Sequence, residues 1–131
     1  MKSRVRILTV DDDMDVLRNL ALMLSLEGYH VMTASSGAEA VSLLQEYHFD
    51  AVITDLRMPV IDGFEIVRRT KSLSPDSAII VTSRYFDEKS RHWIDDQVVS
   101  SLQKPYNVNQ LSEVLGHFDL GIDQVNGREG V

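Results

Sequence analysis

The chain contains no cysteine, only three prolines and few aromatic residues, and its basic side chains are outnumbered: Lys plus Arg 13 against Asp plus Glu 20, a net charge of −7. Without cysteine there can be no disulfide framework, and the composition fits a reducing cytoplasm. The acidic balance argues against a surface that binds nucleic acid unaided. DNA binding would need a further domain. Nowhere do apolar residues run for the ~18 positions of a membrane helix. The apolar run after Lys2, Arg4 and Arg6 stops at Asp11, too short for the core of a signal peptide. There is no internal repeat and no low-complexity segment. The four histidines, His30, His48, His92 and His117, have no metal-ligand spacing and are expected on or near the surface. These absences leave a soluble, cytoplasmic, single-core domain, which 131 residues at 44% hydrophobic and 25% charged can build.

Everything is organised around Ala51 to Gly63, AVITDLRMPVIDG. Ala51 to Thr54 is a short apolar and β-branched run bounded by turn residues, the pattern of a central buried strand. Asp55 directly follows it, and open α/β sheets place their chemistry at that end of the strand. A charge there costs solvation unless a counter-charge or metal meets it. Met58-Pro59 and Asp62-Gly63 shape the following loop and the start of the next helix.

The remaining segments alternate strand and helix. Val5–Val10 is a strand closed by Asp11-Asp12-Asp13. Val16, Leu17, Leu20, Met23 and Leu24 step at three and four along a helix that Gly28 caps. Tyr29–Ala34 is a second strand. Ser36 and Glu39 form a capping box for a second helix with Val41, Leu44 and Tyr47 on its apolar face. Phe64–Ser72 is a helix, Ala78–Thr82 a strand, Asp87–Asp96 a weakly amphipathic helix anchored by Trp93 and Ile94, and Val98–Leu102 a strand. Val108, Leu111, Val114, Leu115 and Phe118 mark a last helix. The domain is expected over 1–118, with 119–131 as a glycine-containing tail or linker. Five strand-then-helix units imply a doubly wound α/β fold, a parallel sheet covered on both faces. Asp11-Asp12, Asp55, Thr82-Ser83 and Lys104 should then converge at the carboxyl ends of the strands.

Three clustered carboxylates repel by about 4 kcal/mol per close pair at an intermediate effective dielectric, so a cation is required. An all-oxygen donor set with room for water suits Mg²⁺. With a lysine and a hydroxyl beside them, these are the parts of phosphoryl transfer to a carboxylate nucleophile. Taken singly, each part has a plainer reading: the acidic triplet as a helix N-cap, Asp55 as a turn former, Thr82 as a β-branched strand end, Lys104 as a solvated charge. An EF-hand is excluded, since Val16 and Leu22 stand where its loop needs glycine and glutamate.

Together, ILTVDDD, TDLRMPVIDG, IIVTS and LQKPY occur in order over residues 4 to about 118, and by these motifs the chain resembles a response-regulator receiver domain of two-component signalling. The resemblance implies the (βα)5 flavodoxin-like, three-layer fold of the chemotaxis regulators, with strand order 2-1-3-4-5. It implies that Asp55 accepts a phosphoryl group from a sensor histidine kinase or phosphotransfer protein. Asp12 would bind Mg²⁺ directly, Asp11 through water, and Asp55 and the backbone carbonyl of Arg57 would complete the ligands. Thr82 would donate to one phosphoryl oxygen and Lys104 would pair with another, across a cis Lys104-Pro105 bond. Such a module is not an enzyme beyond slow loss of its own phosphoryl group. It signals by switching a surface for an effector or downstream protein, and homodimers are common.

The chain departs from that pattern at Ser101, where the family usually carries an inward-turning tyrosine or phenylalanine, and at Gln97-Val98, where it usually has glycine-alanine. The expected threonine–aromatic coupling is therefore weakened or rerouted, and a receiver-fold interaction module working without phosphorylation is the alternative reading. A small phosphatase of the haloacid-dehalogenase kind would leave TDLRMPVIDG and LQKPY unexplained. Arg57 and Arg84, each two residues past a site residue, are expected to influence how long the acyl phosphate lasts. Tyr85, Phe86 and Trp93 are expected mainly in the core, with an exposed partner-binding patch as the other reading.

Overall fold

A computed structural model describes residues 5–97 and 99–116. The elements, in chain order, are β1 (Arg6–Val10), α1 (Met14–Leu26), β2 (His30–Ala34), α2 (Gly37–Glu46), β3 (Ala51–Asp55), α3 (Gly63–Leu73), β4 (Ala78–Ser83), α4 (Glu88–Gln97), β5 (Ser100–Gln103) and α5 (Val108–Gly116). The strands form one parallel sheet in the order β2-β1-β3-β4-β5, the expected doubly wound arrangement.

Strand alternation sends successive side chains to opposite faces. Ile7, Ile53, Ile80 and Leu102 meet Leu20 and Leu24 of α1 and Leu111 and Leu115 of α5 on one face. On the other, Leu8, Val10 and Val52 meet Ala40, Leu44 and Ile66, and Ile79 and Val81 meet Val67 and Ile94. All five residues of β3 are buried, as a central parallel strand covered on both faces requires.

Local signals set most boundaries. Gly28 takes φ 97, and the amides of Gly28 and Tyr29 return to the carbonyls of Ser25 and Leu24, the paired bonds of a Schellman ending. Ser36 caps α2 through the Glu39 amide at 3.1 Å. Glu39, however, accepts from the amide of Ser35 at 2.8 Å, one residue earlier than a capping box predicts. Strand β5 begins at Ser100 rather than Val98, because pairing with β4 aligns Ile80 with Ser100 and Ser83 with Gln103. Val98, Phe118 and the tail 119–131 lie outside the described residues, as does His117. His30, His48 and His92 are exposed. No helix among the described residues is long and apolar enough to cross a membrane.

Thr9, fully buried in β1, has a hydroxyl with no hydrogen-bond partner among the described residues. Leaving a polar group buried and unpaired costs about 1–3 kcal/mol. Thr9→Val is therefore expected to raise the denaturant-unfolding stability by about 1 kcal/mol; a loss of stability would mean that the hydroxyl is satisfied.

Candidate functional site at the carboxyl edge of the sheet

Strands β1, β3 and β4 end side by side, and the chain delivers polar groups at each end. Asp11 follows Val10 directly and is buried, whereas Asp12 is exposed. Asp13 turns away to cap α1, accepting from the amides of Asp15 and Val16. Asp55 is the last residue of β3, one position further into the strand than the sequence pattern places it, and is 7% exposed. Thr82 is buried and stands in register with Asp55 across β3 and β4, so both side chains leave the same face of the sheet.

The three carboxylates converge: oxygens of Asp11, Asp12 and Asp55 all lie within 4.8 Å of one another. Lys104, just beyond β5, sends its ammonium among them, with Nζ 2.6 Å from Asp11 Oδ2 and 3.3 Å from Asp55 Oδ1. Its amide is fixed on the carbonyl of Ser83 at 2.8 Å, and the Lys104-Pro105 peptide is cis, as the resemblance implies. One lysine does not balance three acids. Burial, with the charges of Asp11 and Asp12 behind it, pushes the Asp55 carboxyl above its ordinary range although Lys104 pulls it down. Burial alone would lower Lys104, but its hydrogen bond to Asp11 and the charge of Asp55 raise it. Tyr106, half-buried beside the cluster, is pushed up to about 12 by burial and by Asp11 and Asp55.

A carboxyl raised on folding stabilises the fold when protonated and loses that contribution as pH rises through its folded value. At neutral pH the ionised Asp55 is thus a net cost. Asp55→Asn is expected to raise the thermal midpoint by a few degrees in chelator-containing neutral buffer, with the advantage vanishing as pH falls below the unfolded carboxylate range. An unchanged midpoint at neutral pH would show that Lys104 already neutralises the site.

The cleft above the cluster, about 490 Å³, is lined by Asp11, Asp12, Asp55, Arg57, Asp87 and Lys104, among others. Its floor is held by backbone: the Leu56 amide bonds the Thr82 carbonyl at 2.9 Å, and the Gly63 amide returns to the Leu56 carbonyl at 3.0 Å. Asp62 caps α3 through the Glu65 amide. Arg57 directs its guanidinium toward α4, donating to Ser90 at 3.1 Å and lying 3.5 Å from Asp87. Arg84 is exposed and lines both this cleft and a neighbouring cavity beside Tyr106. Ser101 is exposed on β5. Of the three aromatics in this region, Phe86 is buried and Trp93 packs against the same cluster, but Tyr85 is 68% exposed. Sequence reasoning missed Asp87 and Ser90 at the rim. Asp87 caps α4 by accepting from the Ser90 amide at 2.7 Å, so the helix expected from Asp87 starts one residue later, at Glu88.

Asp11, Asp12, Asp55 and Lys104 are groups that the motifs placed together. The response regulator receiver domain family matches residues 7–116. The chain is 40% identical over 93 residues to the transcriptional regulatory protein PrrA of Mycobacterium tuberculosis, covering 71% of this chain and 37% of PrrA. It superposes on the chemotaxis protein CheY4 of Vibrio cholerae with a TM-score of 0.81 at 28% identity, covering 88% of this chain and 99% of that one. A response regulator from Burkholderia pseudomallei, solved with a phosphorylated aspartic acid, calcium ion and citrate, matches at a TM-score of 0.79 and 26% identity over 85% of this chain and 66% of that one. With the strand order, the converging carboxylates and the family match in agreement, the chain belongs to the response regulator receiver domain family.

Proposed function

We propose that the chain is a phosphoacceptor switch in which Asp55 takes a phosphoryl group from the phosphohistidine of a sensor kinase or phosphotransfer protein. The observation that carries this reading is the lysine held between two carboxylates, Lys104 on Asp11 and Asp55, with a third carboxylate within reach. An Asp55 oxygen attacks phosphorus as the phosphorus–nitrogen bond of the donor breaks; the donor imidazole keeps the electron pair and takes a proton from water. Lys104 pairs with one phosphoryl oxygen and the Thr82 hydroxyl donates to another.

The all-oxygen donor set fits Mg²⁺. Asp12 directly, Asp11 through water, Asp55 and the backbone carbonyl of Arg57 would hold it. When bound, the ion supplies the positive charge that one lysine leaves missing. The added charge of about −1.5 to −2 on Asp55 switches the surface read by an effector or downstream protein, in the cytoplasm. The chain spans 37% of PrrA, so the output belongs to whatever partner or domain reads that surface.

Intact mass after incubation with acetyl phosphate tests the reading. The expected result is a gain of one phosphoryl group in the presence of Mg²⁺, absent with chelator and absent from Asp55→Asn. Continuous turnover of the donor without stoichiometric labelling would point instead to a phosphatase.

A further inference from the structure

Arg57 links the loop after Asp55 to the start of α4. Its guanidinium donates to the hydroxyl of Ser90 at 3.1 Å, lies 3.5 Å from Asp87 Oδ2, and sits 5.8 Å above the Phe64 ring. Ser90 is buried, and its amide and hydroxyl both donate to the other oxygen of Asp87, at 2.7 and 2.6 Å. Asp87 thus does two things at once: it caps α4 and holds Arg57. Phe64 in turn meets Trp93 of α4 edge-on, with ring centroids 4.7 Å apart. A single side chain therefore touches the helix cap and one half of the contact between α3 and α4.

The hold is built to be lost. The Arg57 and Asp87 side chains are 55% and 43% exposed, so water competes with the pair. Both residues line the same cleft as Asp55. A phosphoryl group offers a guanidinium more charge than a carboxylate does, and the geometry for two parallel hydrogen bonds. Meanwhile Ser101 is exposed and too small to act as an inward-turning aromatic.

We propose that the Arg57–Asp87–Ser90 cluster is a latch that couples phosphorylation of Asp55 to α4: the phosphoryl group draws Arg57 into the cleft, Asp87 keeps only its capping role, and the Phe64–Trp93 contact loses the cation above it. The proposal rests on the phosphoacceptor reading and supplies a route from the site to a surface through α3 and α4 instead of through position 101.

Trp93 is the single tryptophan of the chain, so its emission reports the contact directly. The full chain is labelled with acetyl phosphate and Mg²⁺, and phosphorylation is followed by intact mass in the same samples. Wild-type emission is expected to shift in step with the mass gain. Asp87→Asn keeps a good capping side chain but removes the ionic hold. Before labelling it should already emit like phosphorylated wild type, and labelling should cause little further shift. Ser90→Ala, which leaves the capping amide in place, should move in the same direction. An unchanged wild-type spectrum at full labelling would overturn the latch while leaving the phosphoacceptor reading intact, as would an Asp87→Asn chain that retains the whole shift. Absence of any mass gain would remove both.

Discussion

Gly63→Ala is expected to destabilise the domain by about 3 kcal/mol, the upper end of what overpacking costs, and to depress phosphoryl labelling of whatever folds. A Cβ built on Gly63 would lie 2.2 Å from the carbonyl oxygen of Asp55, 2.6 Å from Leu56 Cα and 2.9 Å from the Asp55 carbonyl carbon. All three are backbone atoms of the buried central strand and its exit, and backbone there cannot rotate aside as a side chain can. The strain therefore falls on Asp55, the proposed phosphoacceptor. Gly116→Ala is the control, since nothing among the described residues stands within 4 Å of a Cβ at that position, and alanine is the better helix former. Denaturant unfolding of the two variants checks the account. Equal midpoints would mean that the loop from Leu56 to Asp62 yields easily.

Lys104→Ala should cost comparably in stability and more in reactivity. The lysine side chain is 13% exposed and its partners Asp11 and Asp55 are 4% and 10% exposed. Removing one member of a buried ion pair leaves uncompensated charge, at about 3–5 kcal/mol. Here two carboxylates are abandoned at once, facing a third. Losing a preorganised charge at a reacting group typically slows the step by about a hundredfold or more, and labelling by acetyl phosphate should fall accordingly. The electrostatic origin has its own signature. Mg²⁺ should recover much of the lost thermal midpoint in Lys104→Ala, because it restores positive charge among the same oxygens, but none of the labelling that depends on the ammonium. A deficit indifferent to Mg²⁺ would assign the loss to packing of the lysine stem.

The architecture was legible because each element declares itself locally. The alternation of Ile7 with Leu8 and of Ile79 with Ile80 sorts onto two faces, and Gly28 and Ser36 end and begin helices by backbone and side-chain chemistry that needs no tertiary context. The convergence of Asp11, Asp12, Asp55 and Lys104 was legible for a different reason. Parallel strands with right-handed crossovers bring their carboxyl ends to one edge, so polar residues at strand ends must meet. The failures lie where pairing or long-range contact decides. Strand β5 starts after Val99, at Ser100, because the register with β4, not apolar content, fixes a strand at the sheet edge. Glu39 chose the Ser35 amide over that of Ser36, a matter of one side-chain reach. Arg57 meeting Ser90 depends on how α3 and α4 pack; at a sequence separation of 33 no local pattern encodes it. Tyr85 and Phe86 are adjacent aromatics with opposite fates, exposed and buried, because only one of two neighbouring loop side chains can face the core.

Chemical trapping of the acyl phosphate tests the central claim most directly. The chain is labelled with acetyl phosphate in the presence of Mg²⁺ and then reduced with borohydride, which converts an aspartyl phosphate to homoserine, and the peptides covering Val10 to Asp13 and Ala51 to Arg57 are sequenced by mass spectrometry. Homoserine at position 55, dependent on both the metal and the donor, is the predicted result. Homoserine at position 11 or 12 with Asp55 intact, or no conversion in a folded chain that binds Mg²⁺, would contradict the assignment of Asp55 as the phosphoacceptor.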